Sequence, residues 1–245
     1  MDLARVAVER GLGELGFADH NPMREPFDDW RMLIEELPRY LDAVAEARDA
    51  FPQLKIKLGL ECDFLIGQEH WIEKLATMAE WDFLIGSVHY LPAGWEVDNP
   101  KYLARHTHRA APEIWDQYWA TYIACIRSGL FDFVAHPDLP KKFGVSPEGD
   151  LRRYYDPAIE ALRDTGLAYE INTAGLRKTC AEQYPAAPFI ALAQSAGIPL
   201  LINSDAHHPS EVAAGFDLAL TLAKDAGYTE TARFAKRTRS FVPLP

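Results

Sequence analysis

Residues 129–139 read GLFDFVAHPDL, a short apolar run that begins after a glycine and ends in a histidine, a proline and an acid. Apolar runs of about four to eight residues between such breakers are typical of a buried strand. The preceding residues 112–128 have helical periodicity, and Gly129 is the kind of residue that ends a helix. The stretch therefore predicts a helix, a buried strand and a chemically useful side chain, His136, at the carboxyl end of that strand.

The same alternation of helix and buried strand recurs along the chain. Apolar runs predict further strands at residues 15–18, 56–60, 83–88, 168–171 and 199–202. Helical periodicity predicts helices at residues 2–10, 29–50 with a bend at Pro38, 69–79, 157–164, 188–196 and 210–226. Almost continuously apolar strands that alternate with helices are typical of a parallel sheet covered by helices. Either a barrel or a doubly wound sheet satisfies this pattern.

Polar side chains follow all six predicted strands and decide between these two architectures. They are Asp19 and His20, Glu61 and Asp63, His89, His136 and Asp138, Asn172, and Asp205 and His207. In a barrel the carboxyl ends of many strands converge on one mouth, whereas a doubly wound sheet binds ligands near one switch point. No glycine-rich dinucleotide or P-loop motif follows any strand. The sequence therefore predicts an α/β barrel with one site at its mouth.

Imidazoles and carboxylates at these strand ends indicate a metal site. The candidate ligands are His20, Glu61, His89, His136, Asp205 and His207. Such groups hold zinc, manganese or iron, and the set exceeds the roughly three protein ligands of a single catalytic zinc. Either Glu61 or Asp205 can bridge two cations, which together would stabilise charge on a phosphoryl or acyl group. The predicted class is metal-dependent hydrolysis.

Basic side chains near the same strand ends are candidates for binding an anionic substrate. Arg177 and Lys178 follow the strand at residues 168–171, and Lys142 follows His136. A guanidinium binds phosphate as a bidentate fork, and an ammonium binds it as a point charge. Solvation at the protein surface is the alternative interpretation for all three side chains.

Other polar and aromatic residues have plainer interpretations. Asp19 either orients His20 or binds a cation directly, and Asp63 and Asp138 are interpreted as loop-capping acids. Residues 106–108, His-Thr-His, offer two histidines, but their basic neighbours indicate a solvated loop. The core is predicted to contain Trp30, Trp81, Trp115 and Trp119.

Composition limits the class of protein and its partners. The 245 residues are 48% hydrophobic and 25% charged, which suits a single domain over residues 1–245. A formal charge of -11 disfavours nucleic acid as a partner, because phosphate backbones are bound by Lys and Arg. A small phosphorylated substrate would need local cations. Three widely spaced cysteines, no long apolar segment and no signal peptide predict a cytoplasmic protein without a membrane span.

Taken in order over residues 1–220, the motifs resemble those of the PHP family (polymerase and histidinol phosphatase), and most closely its histidinol-phosphatase branch. They are GFADH at 16–20, GLECD at 59–63, GSVH at 86–89, GLFDFVAHPDL at 129–139, EINTAGLRK at 170–178 and NSDAH at 203–207. The resemblance implies a distorted (β/α)7 TIM-like barrel whose mouth holds up to three divalent ions: zinc, manganese or iron.

The resemblance also implies roles for individual residues. Glu61 would bridge two ions, His89 and His136 would bind one of them, Asp205 would bind the other, and His20 and His207 would hold a third. The implied reaction is hydrolysis of L-histidinol phosphate to L-histidinol and phosphate in histidine biosynthesis. Arg177 and Asp205 are the predicted catalytic residues, and Arg177, Lys178 and Lys142 are the predicted substrate-binding residues.

One family motif has no counterpart in this sequence. The family's HxH on an initial strand does not precede residues 2–10. The resemblance therefore implies a chain without its first strand and without two or more metal ligands, through a misplaced gene start or a truncation rather than an evolved loss. The alternatives are another PHP-type phosphoesterase acting on nucleotides or oligonucleotides, and a truncated metal-binding module without activity.

Overall fold

The computed structural model describes all of residues 1–245. The α-helices are Asp2–Glu9 (α1), Leu37–Ala50 (α2), Glu69–Ala76 (α3), Ala111–Arg127 (α4), Arg152–Thr165 (α5), Ala187–Ser195 (α6) and Phe216–Ala226 (α7). The strands are Glu14–His20 (β1), Lys55–Asp63 (β2), Phe83–Ser87 (β3), Tyr90–Leu91 (β4), Trp95–Glu96 (β5), Phe133–Val134 (β6), Ala168–Asn172 (β7), Leu200–Asn203 (β8), Glu230–Ala235 (β9) and Thr238–Pro243 (β10). None of the helices has the length and apolar character needed to cross a membrane.

Six of the strands form one parallel sheet in the order β1-β2-β3-β6-β7-β8. A helix lies between each successive pair, as parallel neighbours require. Side chains from all six strands line one cavity of about 420 Å³, which shows that the sheet is curled. Its two edges, β1 and β8, are not hydrogen-bonded to each other. This curled parallel sheet confirms the predicted class of distorted, barrel-like α/β fold.

Apolar side chains pack on both faces of the sheet. The larger cluster contains 47 buried residues, among them Leu84, and packs the helices against the outer face. The smaller cluster fills the curl and includes Phe83, Ile85, Phe133 and Phe234. Phe83 and Ile85 point inward while Leu84 points outward, as the period of two in a strand requires. The rings of Phe133 and Phe234 stack 5.7 Å apart, so the β9–β10 hairpin closes the amino end of the curl.

Four features differ from the expectations drawn from the sequence. Helix α7 begins at Phe216 rather than at residue 210, because residues 209–211 form a separate 3-10 turn and Gly215, with a left-handed backbone, precedes the helix. Helix α2 begins at Leu37 rather than at residue 29, and Pro38 lies in its first turn, where a missing amide costs nothing. The predicted bend at Pro38 is therefore wrong. Helix α5 begins before the predicted start and holds Pro157 in its interior. The antiparallel hairpin of β9 and β10 is a further difference, because its strands bury few residues and their apolar pattern is weak.

The close approach of β2 to β3 generates a stability prediction. A Cβ atom built on Gly59 would lie 2.0 Å from Cε2 of Phe83, whereas one on Gly13 would meet nothing within 4 Å. We expect Gly59→Ala to lower the free energy of unfolding by about 2–3 kcal/mol, because the ring must move within a packed interior. Urea unfolding measures this change, with Gly13→Ala as the matched control. Equal stability of the two variants would contradict the prediction.

Candidate metal centre

All six predicted ligand side chains line a single cavity of about 280 Å³ at the carboxyl ends of the strands. They are His20, Glu61, His89, His136, Asp205 and His207. The parallel register explains part of this convergence, because His20 on β1 lies directly opposite Glu61 on β2. His89 and His136 follow β3 and β6, which are neighbours in the sheet. Residues that are far apart in the chain therefore meet at one mouth.

Three imidazoles lie close to the carboxylate of Glu61. Its Oε1 atom is 3.1 Å from Nε2 of His136 and 3.7 Å from Nε2 of His89. One ligand atom from each of His20, Glu61 and His89 lies within 4.8 Å of the other two. Burial opposes ionisation of this carboxyl, but the imidazoles of His20, His136 and His89 hold the pKa of Glu61 well below its usual range. The surroundings of the buried Glu61 carboxyl therefore favour its ionised form.

This set of donors fits a divalent cation. The Nδ1 atoms of His20 and His136 are buried and have no hydrogen-bond partner. Such nitrogens cost free energy unless a further group satisfies them. Imidazole nitrogens combined with carboxylate oxygens are ligands that zinc, manganese and iron accept. The residues that can hold a cation at this point are His20, Glu61, His89 and His136.

Asp205 and His207 form a more open part of the same cavity. Oδ1 of Asp205 is 3.5 Å from Nδ1 of His207, whose side chain is 71% exposed. The other carboxylate oxygen of Asp205 accepts a hydrogen bond of 3.2 Å from Nδ2 of Asn172. The backbone of Asp205 has a φ of +47°, a left-handed conformation that few residues other than glycine adopt. The loop after β8 thus presents a carboxylate and an imidazole that are both within reach of solvent.

Asp63 orients His89, which corrects its interpretation as a loop cap. Its buried carboxylate accepts hydrogen bonds from Nδ1 of His89 at 2.7 Å and from Nη2 of Arg31 at 2.9 Å. Arg31 also pairs with Asp28 at 2.7 Å. Burial lowers the pKa of His89, but the carboxylate of Asp63 outweighs burial and raises it to about 10. Because Nδ1 is committed to Asp63, Nε2 is the atom of His89 that a cation can take once its proton leaves.

The predicted substrate-binding residues occupy different positions. Lys142 and Lys178 line the cavity, and Nζ of Lys142 lies 2.8 Å from a carboxylate oxygen of Asp98. Arg177 does not line it. The guanidinium of Arg177 donates to the backbone oxygen of Ser204 at 2.8 Å, and its Nε lies 3.2 Å from the carboxylate of Glu211. In this structure Arg177 therefore supports the loop that carries Asp205.

Several plainer interpretations need correction. Trp30 is 43% exposed rather than in the core, and it lines the cavity while its Nε1 donates to Glu96 at 2.8 Å. His106 is buried beside Phe143 rather than solvated, with 4.7 Å between the ring centroids. Buried Asp138 accepts from the amide of Ala186 at 2.8 Å, so it joins two loops rather than capping its own. The assignment of Trp81, Trp115 and Trp119 to the core is confirmed.

Sequence reasoning missed the polar groups that support the candidate ligands. Asp63 lies two residues after Glu61 on β2, and Glu170 lies two residues before Asn172 on β7. Residues two apart in a strand point to the same face. That period is the signal that would have placed both acids on the side of the site. No comparable signal marks Arg31, because it lies in an irregular segment before α2.

Fold and site together define a class of proteins in which a curled parallel α/β sheet carries imidazoles and carboxylates for divalent cations at its strand ends. The PHP domain model matches residues 1–174. The chain belongs to the PHP domain family.

Known relatives extend this assignment over most of the chain. The "Probable histidinol-phosphatase" of Deinococcus radiodurans is 41% identical over 228 residues, which span 92% of this chain and 86% of the relative. The "Histidinol-phosphatase" of Bacillus subtilis is 26% identical and covers 89% of this chain and 90% of its own. A crystal structure of histidinol phosphate phosphatase from Lactococcus lactis, complexed with zinc, L-histidinol and phosphate, superposes with a TM-score of 0.82. It is 23% identical and covers 98% of this chain and 91% of its own, so it shows the shared fold.

The contact between Asp63 and His89 generates a prediction about metal affinity. Asp63→Asn keeps the shape but removes the charge, and its amide NH2 must face a donor of either His89 or Arg31. We expect zinc affinity to fall by about 10–100-fold, since residues that orient a ligand contribute that much. We also expect the free energy of unfolding to fall by about 3 kcal/mol, because a buried ion pair is broken. Competition with a chromophoric chelator measures the zinc affinity.

A matched control separates metal affinity from general stability. Asp82 pairs with Arg48 at 2.9 Å and accepts from the amide of Leu58, at the opposite end of the sheet. Asp82→Asn should lower the stability and leave zinc affinity unchanged. Wild-type zinc affinity in Asp63→Asn would show that Asp63 does not orient a ligand.

Proposed function

We propose that this protein is a metal-dependent phosphomonoesterase that hydrolyses L-histidinol phosphate to L-histidinol and phosphate. The observation that carries the proposal is one cavity lined by six imidazoles and carboxylates together with Lys142 and Lys178. The relatives from Deinococcus and Bacillus, both named as histidinol-phosphatases, support the choice of substrate. The zinc, L-histidinol and phosphate in the Lactococcus structure support both the substrate and the need for metal.

The proposed centre holds up to three divalent ions, namely zinc, manganese or iron. Glu61 would bridge two of them, His89 and His136 would bind one, Asp205 the other, and His20 and His207 a third. When bound, such ions polarise phosphoryl oxygens as Lewis acids and make water at the site more acidic. The protein contributes by keeping Glu61 ionised and by committing Nδ1 of His89 to Asp63, which leaves one defined nitrogen for a cation.

Basic side chains are proposed to bind the phosphate of the substrate. Asp98 holds the ammonium group of Lys142 at the cavity, and Lys178 adds a second positive charge. These local cations are needed because the whole chain carries a formal charge of -11, which repels a phosphate dianion. Arg177 lies next to Lys178 and against the backbone of residues 204–205. To bind the phosphate as proposed, Arg177 has to release a hydrogen bond that it now donates to a backbone carbonyl.

The size of the site supports a small substrate. A cavity of about 280 Å³ accommodates a small phosphomonoester, and the negative charge of the chain disfavours nucleic acid. We also propose that residues 1–245 form a single catalytic domain. One core of buried residues runs from Ala4 to Ala223, and the β9–β10 hairpin packs under the curled sheet through Phe234. This arrangement supports a single folding unit.

Phosphate release tests the proposed substrate and the need for metal together. We expect the chain loaded with zinc or manganese to hydrolyse L-histidinol phosphate with a kcat/KM at least about 100-fold above that for AMP or a single-stranded oligonucleotide, because both are larger than L-histidinol phosphate and the cavity is about 280 Å³. Chelation should abolish turnover, and added metal should restore it, since the ligands lie on protein side chains. A malachite-green assay and elemental analysis provide the measurements.

The other outcomes of this assay identify the alternatives. Preference for AMP or the oligonucleotide would assign the chain to a different phosphoesterase activity. Bound metal without release of phosphate from any substrate would identify a metal-binding module without activity. Either result would contradict the proposed function.

Lys178 provides a second prediction, which concerns substrate binding alone. Lys178→Ala removes a positive charge from the cavity, and we expect KM for L-histidinol phosphate to rise about 10-fold with a smaller change in kcat, because a charge-assisted contact to phosphate is lost. Lys55→Ala is the matched control, since Lys55 is an exposed lysine at the amino end of β2, far from the mouth. Steady-state kinetics measure both constants. An unchanged KM in Lys178→Ala would exclude a role in binding phosphate.

A further inference from the structure

A buried carboxylate that the proposed reaction does not use lies beside the metal centre. Glu170 on β7 is 3% exposed. Its Oε1 atom accepts hydrogen bonds from the backbone amide of His136 at 2.9 Å and from Nδ2 of Asn172 at 2.7 Å. Its Oε2 atom accepts from Nδ2 of Asn203 at 2.6 Å. One side chain thus contacts the ends of three neighbouring strands, β6, β7 and β8.

The hydrogen-bonding chemistry around Glu170 suits only an acceptor. All three of its partners are N–H donors, and a carboxylate anion can accept from every one of them. A side-chain amide at this position would direct its own NH2 group at one of the donors. The surroundings therefore specify the carboxylate and not merely its shape.

Asn172 extends this network to the other part of the cavity. Its Nδ2 atom donates to Glu170 and lies 3.2 Å from Oδ2 of Asp205, so each of its two hydrogens has an acceptor. Its Oδ1 atom accepts from the amide of Ala174 at 2.8 Å, which fixes the orientation of the amide group. A continuous path of hydrogen bonds thus connects His136 to Asp205 through Glu170 and Asn172.

Both ends of this path have unusual backbone conformations. His136 has a φ of +20° and Asp205 a φ of +47°. Such conformations cost free energy and persist only where the surrounding structure holds them in place. The amide of His136 is held by Glu170, and the carboxylate of Asp205 is held by Asn172. The network therefore contacts the backbone of His136 and the side chain of Asp205, two residues with left-handed backbones.

We propose that Glu170 is a positioning residue, which holds His136 and, through Asn172, Asp205 at the separation that a shared set of cations requires. This inference rests on the proposed ligand roles of His136 and Asp205. It gives a role to a buried carboxylate that lies beside the proposed ligands. Both oxygens of Glu170 are already occupied by N–H donors.

Glu170→Gln tests this inference in the full chain loaded with Co²⁺. We expect Co²⁺ affinity to fall by about 10–100-fold, the usual effect of losing a group that orients a ligand. The visible absorption bands of bound Co²⁺ should shift, because their energies depend on ligand geometry. We also expect kcat for L-histidinol phosphate to fall at least about 10-fold while KM stays within about threefold, because positioning and not substrate contact is lost.

Two further variants keep the test decisive. Asn203→Ala removes one donor to Glu170 without changing the carboxylate, and it should shift the Co²⁺ bands in the same direction by a smaller amount. Glu14→Gln makes the same chemical change at the amino end of β1, where Glu14 is 3.8 Å from Arg233. It should leave the spectrum and the affinity unchanged. If Glu170→Gln fails to fold, Asn203→Ala carries the test.

Each other outcome overturns the inference in a distinct way. An unchanged spectrum and affinity with reduced thermal stability would assign Glu170 a structural role only. Fewer Co²⁺ ions bound at saturation, compared with the wild type, would make Glu170 a ligand instead. A wild-type chain that binds no Co²⁺ would overturn the proposed metal centre as well, whereas normal wild-type binding isolates a failure of this inference.

Discussion

The buried carboxylate of Glu61 is the constraint on which the rest of the site depends. An ionised group inside a protein is expensive unless positive or hydrogen-bonding partners surround it. Here the partners are three imidazoles, two of which place Nε2 within 3.7 Å of the same oxygen. Each imidazole lies at the carboxyl end of a different strand of the curled sheet. The fold therefore has to bring β1, β3 and β6 around β2 if Glu61 is to remain charged.

The second carboxylate on β2 explains the segment between β1 and α2. Asp63 is buried on the same face as Glu61, and Arg31 supplies the positive charge that it needs. Arg31 also binds Asp28 and lies 4.4 Å from the ring of Trp30. A segment without regular structure is thereby attached to the site at several points. Trp30 in this segment lines the cavity and packs on Arg31, which pairs with Asp63, the residue that orients His89.

The two edges of the sheet are not paired, but a side chain links the segments next to them. Arg10, at the end of α1, donates to the backbone oxygens of Ser210 and Val212 in the loop after β8. Helix α1 leads directly into β1, so this contact brings the beginning of one edge strand close to the loop that follows the other edge. At the amino end of the sheet, the hairpin of β9 and β10 covers the interior with Phe234. The curled sheet is thus covered at the amino ends of its strands and open at their carboxyl ends, where the candidate ligands lie.

The amino-acid sequence by itself determined the succession of helices and buried strands, and it determined that chemically useful residues follow each strand. These properties are local, because apolar periodicity and strand-ending residues can be read within about ten residues. It also predicted that His20, Glu61, His89, His136, Asp205 and His207 gather at one mouth, since parallel strands share the direction of their carboxyl ends. The start of α2 and the hairpin of β9 and β10 were not predicted, because their patterns are weak or are overridden by packing.

Only the tertiary structure decided what each acid does. Asp63 and Asp138 look alike in sequence, as acids that follow a strand, yet one binds His89 and the other binds the amide of Ala186. Glu170 became visible as a link between His136 and Asn203 only when three strands were placed side by side. Arg177, which is proposed to bind the phosphate, was found to donate to the backbone beside Asp205, a contact that no pattern in the sequence indicates. Side-chain partners come from distant parts of the chain, and no local pattern encodes a distance between them.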